Sequence, residues 1–292
     1  MYNSIQDLVS QAEERGAGLW KIVLENEIKL SELDETSIYK KLDERYDVMI
    51  RSAERALGQS LPAIGGLIEG IASRHARFAQ QGGGLMGGFL NQLMARAFSC
   101  SEVNASMGKI CAVPTAGACG VLPAVLLTVG EKYTLGRREI LEALLTASGV
   151  GAVITKNATV SGAEGGCQAE CGAAAAMAAA AAVQMAGGTI HMSADACGFA
   201  LMNCMGLICD PVAGLVQLPC ALRNASQAVN ALVSADMALA GLTSVIPPDE
   251  VIEAMFHTGR MLPPALKETA LGGIAAAEAG KRIQAEIFSE NP

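Results

Sequence analysis

The sequence predicts an all-α fold: one main, mainly helical domain over residues 61–292, preceded by an N-terminal helical arm over residues 1–60. Three observations predict it. Apolar residues recur at helical spacing, as at Ile38, Leu42, Tyr46 and Ile50, which share one face of a helix. Sustained alternation of apolar and polar residues, the mark of a half-buried strand, is scarce. Finally, 51% of the residues are hydrophobic but only 4% are aromatic, and residues 171–188 read CGAAAAMAAAAAVQMAGG. Alanine has the highest helix propensity and its small side chain lets neighbouring backbones approach, so this run predicts a buried, closely packed helix. It is too weakly apolar, and at the short limit of length, for a membrane span.

The elements follow in chain order. Ser4 with Asp7 marks the start of a first amphipathic segment, and Gly16 ends it. Asp34 is the expected N-cap of a second helix running to Ala56–Leu57, with Gly58 just beyond its end. Further helices are expected over 67–80, 88–99, 122–130, 137–148, 168–186, 193–206, 223–240, 248–257 and 273–288. The segment Gly82-Gly83-Gly84 with Gly87-Gly88 reads as a flexible or close-packed loop. Residues 1–60 are rich in charge, the composition of a solvated arm. Residues 157–208 contain only Glu164, Glu170 and Asp195 as charged residues, the composition of a domain centre. No Gly/Ser or Pro linker and no internal repeat divides the chain further.

Composition excludes several functions. The net charge is -8 and no Lys/Arg-rich stripe exists, which excludes nucleic acid as a partner. The first residues, Met1-Tyr-Asn-Ser-Ile-Gln-Asp, lack the basic and apolar regions of a signal peptide. A cytoplasmic location is therefore expected, where the nine cysteines remain thiols. There is no G-x-x-x-x-G-K-[ST] loop, no G-x-G-x-x-G after a strand, no H-E-x-x-H helix and no G-x-S-x-G elbow. His75, His191 and His257 are isolated from one another.

Three cysteines stand out by context. Gly165-Gly166 precede Cys167, Asp210-Pro211 follow Cys209, and Pro219 precedes Cys220. Such turns let thiolates converge without the constraint of a helix, and three thiolates would leave one metal position open for a substrate. Spacing alone does not decide between a metal site and small buried hydrophobes, because neither a C-x₂-C pair nor a ferredoxin-type run is present. Cys100, Cys111, Cys119, Cys171, Cys197 and Cys204 read as buried apolar residues.

Lys156 is the only Lys or Arg between Arg138 and Arg223. Buried, it would need a partner, such as a carboxylate or a thiolate-rich cluster; alternatively it reaches solvent from the end of its helix. Asn104, Thr115 and Asn157 lie in two segments crowded with small hydroxyl and amide residues, suited to holding a small polar anion. The same residues also suit turns and helix caps.

Taken together, SEVNASMGKICAVPTAGACGVLPAVL (101–126), GAVITKNATVSGAEGGCQAECG (151–172) and CDPVAGLVQLPCALRNA (209–225) resemble the alpha chain of bacterial iron–sulfur L-serine dehydratases. The resemblance runs over residues 60–280. It implies a mainly helical catalytic domain and a [4Fe–4S] cluster held by Cys167, Cys209 and Cys220, with one iron open to substrate. The implied reaction takes L-serine through 2-aminoacrylate to pyruvate and ammonia. In that scheme Lys156 is expected as a catalytic residue, and Asn104, Thr115 and Asn157 as substrate-binding residues. The proton acceptor is left among a thiolate, Lys156 and a residue of a partner. The family's Ser-His-Thr-x-Gly-Pro segment is missing here, so a separate beta chain is expected to complete the enzyme. Some members carry a histidine shortly before CDPVAG, where this chain reads Met202-Asn203-Cys204-Met205-Gly206, so no role for a histidine is carried over. Two other readings stay open: an iron–sulfur L-cysteine desulfidase, and a non-catalytic helical scaffold with buried cysteines.

Overall fold

The computed structural model describes residues 1–82 and 84–289; Gly83, within the glycine-rich loop, lies outside the described residues. Helices α1 (Ile5–Glu14), α2 (Leu19–Ser31) and α3 (Glu35–Arg55) open the chain. Then come α4 (Ile71–Gln80), α5 (Gly87–Ala105), α6 (Val121–Tyr133), α7 (Arg137–Asn157) and the single turn α8 (Gly162–Gly165). The rest are α9 (Ala173–Met185), α10 (Ile190–Asn203), α11 (Cys220–Leu239), α12 (Pro248–Met261) and α13 (Glu278–Ser289). Among the described residues there is no strand, only an isolated parallel bridge between Cys209 and Lys267. The all-α expectation holds.

Local signals act as read. Ser4 Oγ accepts from Asp7 N at 2.9 Å, and Asp34 Oδ1 from Ser37 N at 2.8 Å. Gly16 takes φ +58, and Ala17 N and Gly16 N donate to the carbonyls of Ala12 and Glu13, closing the end of α1 in a Schellman motif. Two differences have physical causes. Helix α2 has no counterpart among the expected helices: Gly18 offers no side-chain cap, and its apolar residues run as Leu19-Trp20 and Ile22-Val23-Leu24 rather than as one periodic stripe. Helix α7 continues to Asn157 instead of ending near residue 148. Gly149 suggests a stop, but it serves close packing, since a Cβ there would lie 2.4 Å from Val23 Cγ2 of α2.

The alanine-rich α9 forms the centre, surrounded by α6, α7, α10 and α11, and Ala173–Val183 are all buried. Tyr2 through Met255 contribute to one continuous core. Helices α1–α3 belong to it through Ile5, Leu8, Ile22, Leu24, Ile38 and Met49. The charge of residues 1–60 records the outer faces of these helices. Asp249, in the first turn of α12, accepts from Ile5 N at 2.8 Å and Gln6 N at 2.9 Å, so it ties the start of α1 to the other end of the chain.

Glu102 of α5 is only 1% exposed and accepts the backbone N–H of Gly70, with the amides of Ile71 and Ala72 at the start of α4 close by. Burial pushes its carboxyl up from 4.5 to about 7, against the pull of these amides. Folding therefore favours the protonated form. That contribution is fully present below pH 4.5 and is lost as pH rises to about 7. Glu102→Gln should gain stability relative to wild type by roughly 3 kcal/mol across this window and no further above it, read from urea unfolding at several pH values.

Candidate active site

The chain brings Cys167, Cys209 and Cys220 to one place. Cys167 stands between α8 and a π turn, Gln168–Gly172, that leads into α9. Gly166 before it has φ +78, and a Cβ there would lie 2.8 Å from the carbonyl oxygen of Leu207, so only glycine passes this point. The fully buried Gln168 secures the turn. Its Nε2 donates to the carbonyls of Gly165 at 3.0 Å and Met255 at 3.1 Å, and its Oε1 accepts from Gly206 N at 2.8 Å. Cys209 is held through its backbone, with N donating to Leu266 O at 2.9 Å and O accepting from Glu268 N at 2.8 Å. Cys220 is the first residue of the long helix α11, whose dipole favours negative charge at that end. Asn224, 1% exposed, donates to the carbonyls of Cys220 and Gly117 and accepts from Gly120 N, joining α11 to the segment before α6.

All three thiols are buried and feel one another's charge. Burial first, and then a charge on Cys167, raise both Cys209 and Cys220, Cys220 to about 12. Cys167 is held below the usual thiol range, first by a hydrogen bond with Cys171 and then by the Arg223 guanidinium. Cys171 and Cys204 also lie beside Cys167. Arg223 donates to Ile208 O and to Asp210 Oδ1, both at 2.7 Å, and Asp210 Oδ2 accepts from Ile274 N at 2.8 Å. One buried ion pair thus ties the Cys209 loop to α11 and to residues 273–274.

A carboxyl completes the site. Glu170, on the π turn, accepts from the Thr115 hydroxyl and from Gly117 N. Burial raises its pKa, the nearby Glu268 adds to the rise, and the Thr115 hydrogen bond opposes it. A Cβ built on Gly162 would lie 3.2 Å from Cys209 Sγ, 3.3 Å from Glu170 Oε2 and 3.5 Å from Glu268 Oε2, so these three groups converge on one point.

Of the residues singled out in the sequence, Thr115 joins this site through Glu170. Lys156 and Asn157 lie exposed at the end of α7, where both side chains donate to Asn3, Asn157 at 2.7 Å to its carbonyl. The cation facing the thiols is Arg223 instead. Asn104 lies in the last turn of α5, and its carbonyl accepts from Met107 N. Glu170, Arg223, Asp210, Gln168 and Asn224 were not singled out. A signal existed for two of them: Glu170 is one of three charged residues in residues 157–208, and Arg223 is the first Lys or Arg after Lys156.

Among the described residues no three His, Cys, Asp or Glu side chains form a site for a single metal ion. The three thiols fit an iron–sulfur cluster better, since a cluster spreads its thiolate ligands over several irons. Their mutual charge penalty, only partly offset by Arg223, is what a cationic cluster core would relieve.

Residues 14–275 match the family model described as serine dehydratase alpha chain. This chain belongs to the serine dehydratase alpha chain family. It is 49% identical over 290 residues, 99% of both chains, to the L-serine dehydratase, alpha chain, of Peptoniphilus asaccharolyticus. It is 42% identical over 288 residues, 99% of this chain and 96% of the other, to the probable L-serine dehydratase, alpha chain, of Bacillus subtilis (strain 168). With L-serine dehydratase 2 of Escherichia coli (strain K12) it shares 33% identity over 290 residues, 94% of this chain but only 61% of that longer protein. The matched residues of the family model begin at Glu14, the last residue of α1, and so include all of α2 and α3.

Proposed function

We propose that this serine dehydratase family chain is the alpha chain of an iron–sulfur L-serine dehydratase, a lyase that converts L-serine through 2-aminoacrylate to pyruvate and ammonia. The observation that carries the reading is the convergence of three buried thiols with Glu170 and Arg223, in a chain matched end to end by relatives named for this reaction. Cys167, Cys209 and Cys220 would hold a [4Fe–4S] cluster. When bound, the cluster supplies Lewis-acid polarisation of the serine C–O bond.

The chain's own groups have separate tasks. Arg223 offsets thiolate charge at Cys167, and the start of α11 does so at Cys220. Elimination also needs a group that takes the α-proton. Of the groups facing the thiols, Glu170 combines burial, a raised pKa and a fixed orientation through Thr115, the combination that suits a proton-transferring carboxyl. Glu170→Gln should lower kcat by about a hundredfold or more while the iron–sulfur absorbance persists. Full turnover in that variant would remove Glu170 from the mechanism.

A beta chain is part of the proposal. The alpha chains of P. asaccharolyticus and B. subtilis match this chain along its length, whereas the longer E. coli protein extends well beyond the match. No helix among the described residues is long and apolar enough to cross a membrane, and all nine cysteines are free thiols, which suits a reducing cytoplasm. The test is anaerobic iron reconstitution of this chain with its beta chain, followed by a pyruvate assay on L-serine and on L-cysteine. Charge-transfer absorbance with pyruvate and ammonia from serine supports the reading. Sulfide release from cysteine in preference would replace it with a desulfidase, and a colourless preparation would overturn the cluster.

A further inference from the structure

Away from the cysteine site, a cleft of about 330 Å³ opens between α2, α3 and α7, a volume suited to a small molecule. Its floor is aliphatic, with Leu33, Ile38, Leu42, Leu145 and Met177. Its mouth carries Lys41, Arg45 and Glu27, all exposed. None of the three forms an ion pair among the described residues. Cys111, Ala112 and Val113 close one side.

We propose that this cleft binds an α-amino acid with an aliphatic side chain and adjusts the activity of the cysteine site. Two cations and one carboxylate around an apolar floor match a zwitterion: its carboxylate meets Arg45 and Lys41, its ammonium meets Glu27, and its side chain fills the floor. The cleft contains no aromatic side chain for a base to stack on. L-Serine, with a polar side chain, would leave the floor unused. The route to the reacting site is short in the chain. The wall at residues 111–113 leads to Thr115, which donates to Glu170. The floor residue Met177 belongs to α9, the helix that follows the Cys167 turn. A ligand that orders this wall biases the orientation of Glu170, and binding and activity are then linked reciprocally. The effect on turnover rests on the reaction proposed above, whereas binding does not.

Cys111 provides the probe, being the only one of the nine cysteines that is not buried. The reconstituted two-chain enzyme is treated with N-ethylmaleimide, and modification of Cys111 is followed by peptide mass spectrometry. L-Leucine should slow it about tenfold at a concentration ten times its Kd. The corresponding 2-oxo acid, 4-methyl-2-oxopentanoate, should protect less, because it lacks the ammonium group for Glu27. Arg45→Gln should lose the protection by leucine while keeping turnover of serine in its absence. No protection by leucine up to its solubility limit overturns the site, and equal protection by the oxo acid overturns its assignment to amino acids. Leucine should also change kcat or KM for serine in wild type and not in Arg45→Gln; protection with unchanged kinetics overturns the coupling. An enzyme without any serine turnover would refute the reaction and leave the protection measurement standing.

Discussion

Cys209→Ser is expected to remove iron–sulfur absorbance and pyruvate formation together, with turnover falling by at least about a thousandfold, the equivalent of about 4 kcal/mol of barrier. Serine keeps nearly the shape of cysteine but offers a hydroxyl in place of a soft thiolate. The fold of the loop should survive, because Cys209 is held by backbone hydrogen bonds to Leu266 and Glu268 and not by its side chain. Circular dichroism and urea unfolding of the iron-free chain should therefore match wild type. Retained colour with full turnover would overturn Cys209 as a ligand. Cys100→Ser is the useful control: Cys100 is equally buried, but its hydrogen-bond partner is Ser52.

The second large effect is on stability. Arg223→Leu should destabilise the iron-free chain by about 3–5 kcal/mol, because it strands the Asp210 carboxylate in a buried position. The Arg223 and Asp210 side chains are only 16% and 2% exposed, so little water can replace the lost partner. Arg223 also donates to Ile208 O, and that acceptor would be left open as well. Adding Asp210→Asn should recover part of the loss, since a neutral amide costs less to bury than an unpaired charge. The midpoint of urea unfolding reads both effects. A single variant as stable as wild type would show that the pair does not hold the Cys209 loop to α11.

The helical class follows from periodicity and composition, which are local properties. Ser4, Asp34 and Gly16 act at helix ends as their residue types dictate, because a cap needs only neighbours three or four residues away. The alanine run 171–188 was legible as a buried helix for the same reason, although its first residues form a π turn that no periodicity reveals. The turns around Cys167, Cys209 and Cys220 are equally local, and Cys209 and Cys220 both lie within electrostatic reach of Cys167. Helix α2 escaped because its packing against α7, not a stripe or a cap, stabilises it.

The surroundings of the thiols depended on long-range packing. Lys156, which from its position could face a charged cluster or reach solvent from its helix end, does the second: α7 runs on past Gly149 and delivers it to Asn3 at the surface. Arg223 takes the place beside Cys167 because α11 starts at Cys220 and turns that residue back toward Asp210. Glu170 meets Thr115, 55 residues away in the chain, only once α6 and α9 are packed together. Which residues can cap a helix or form a turn is written in their chemical type and their nearest neighbours. Which of them meet is settled by the close packing of α6, α9 and α11 around an alanine core, a balance of many contacts that no short segment contains.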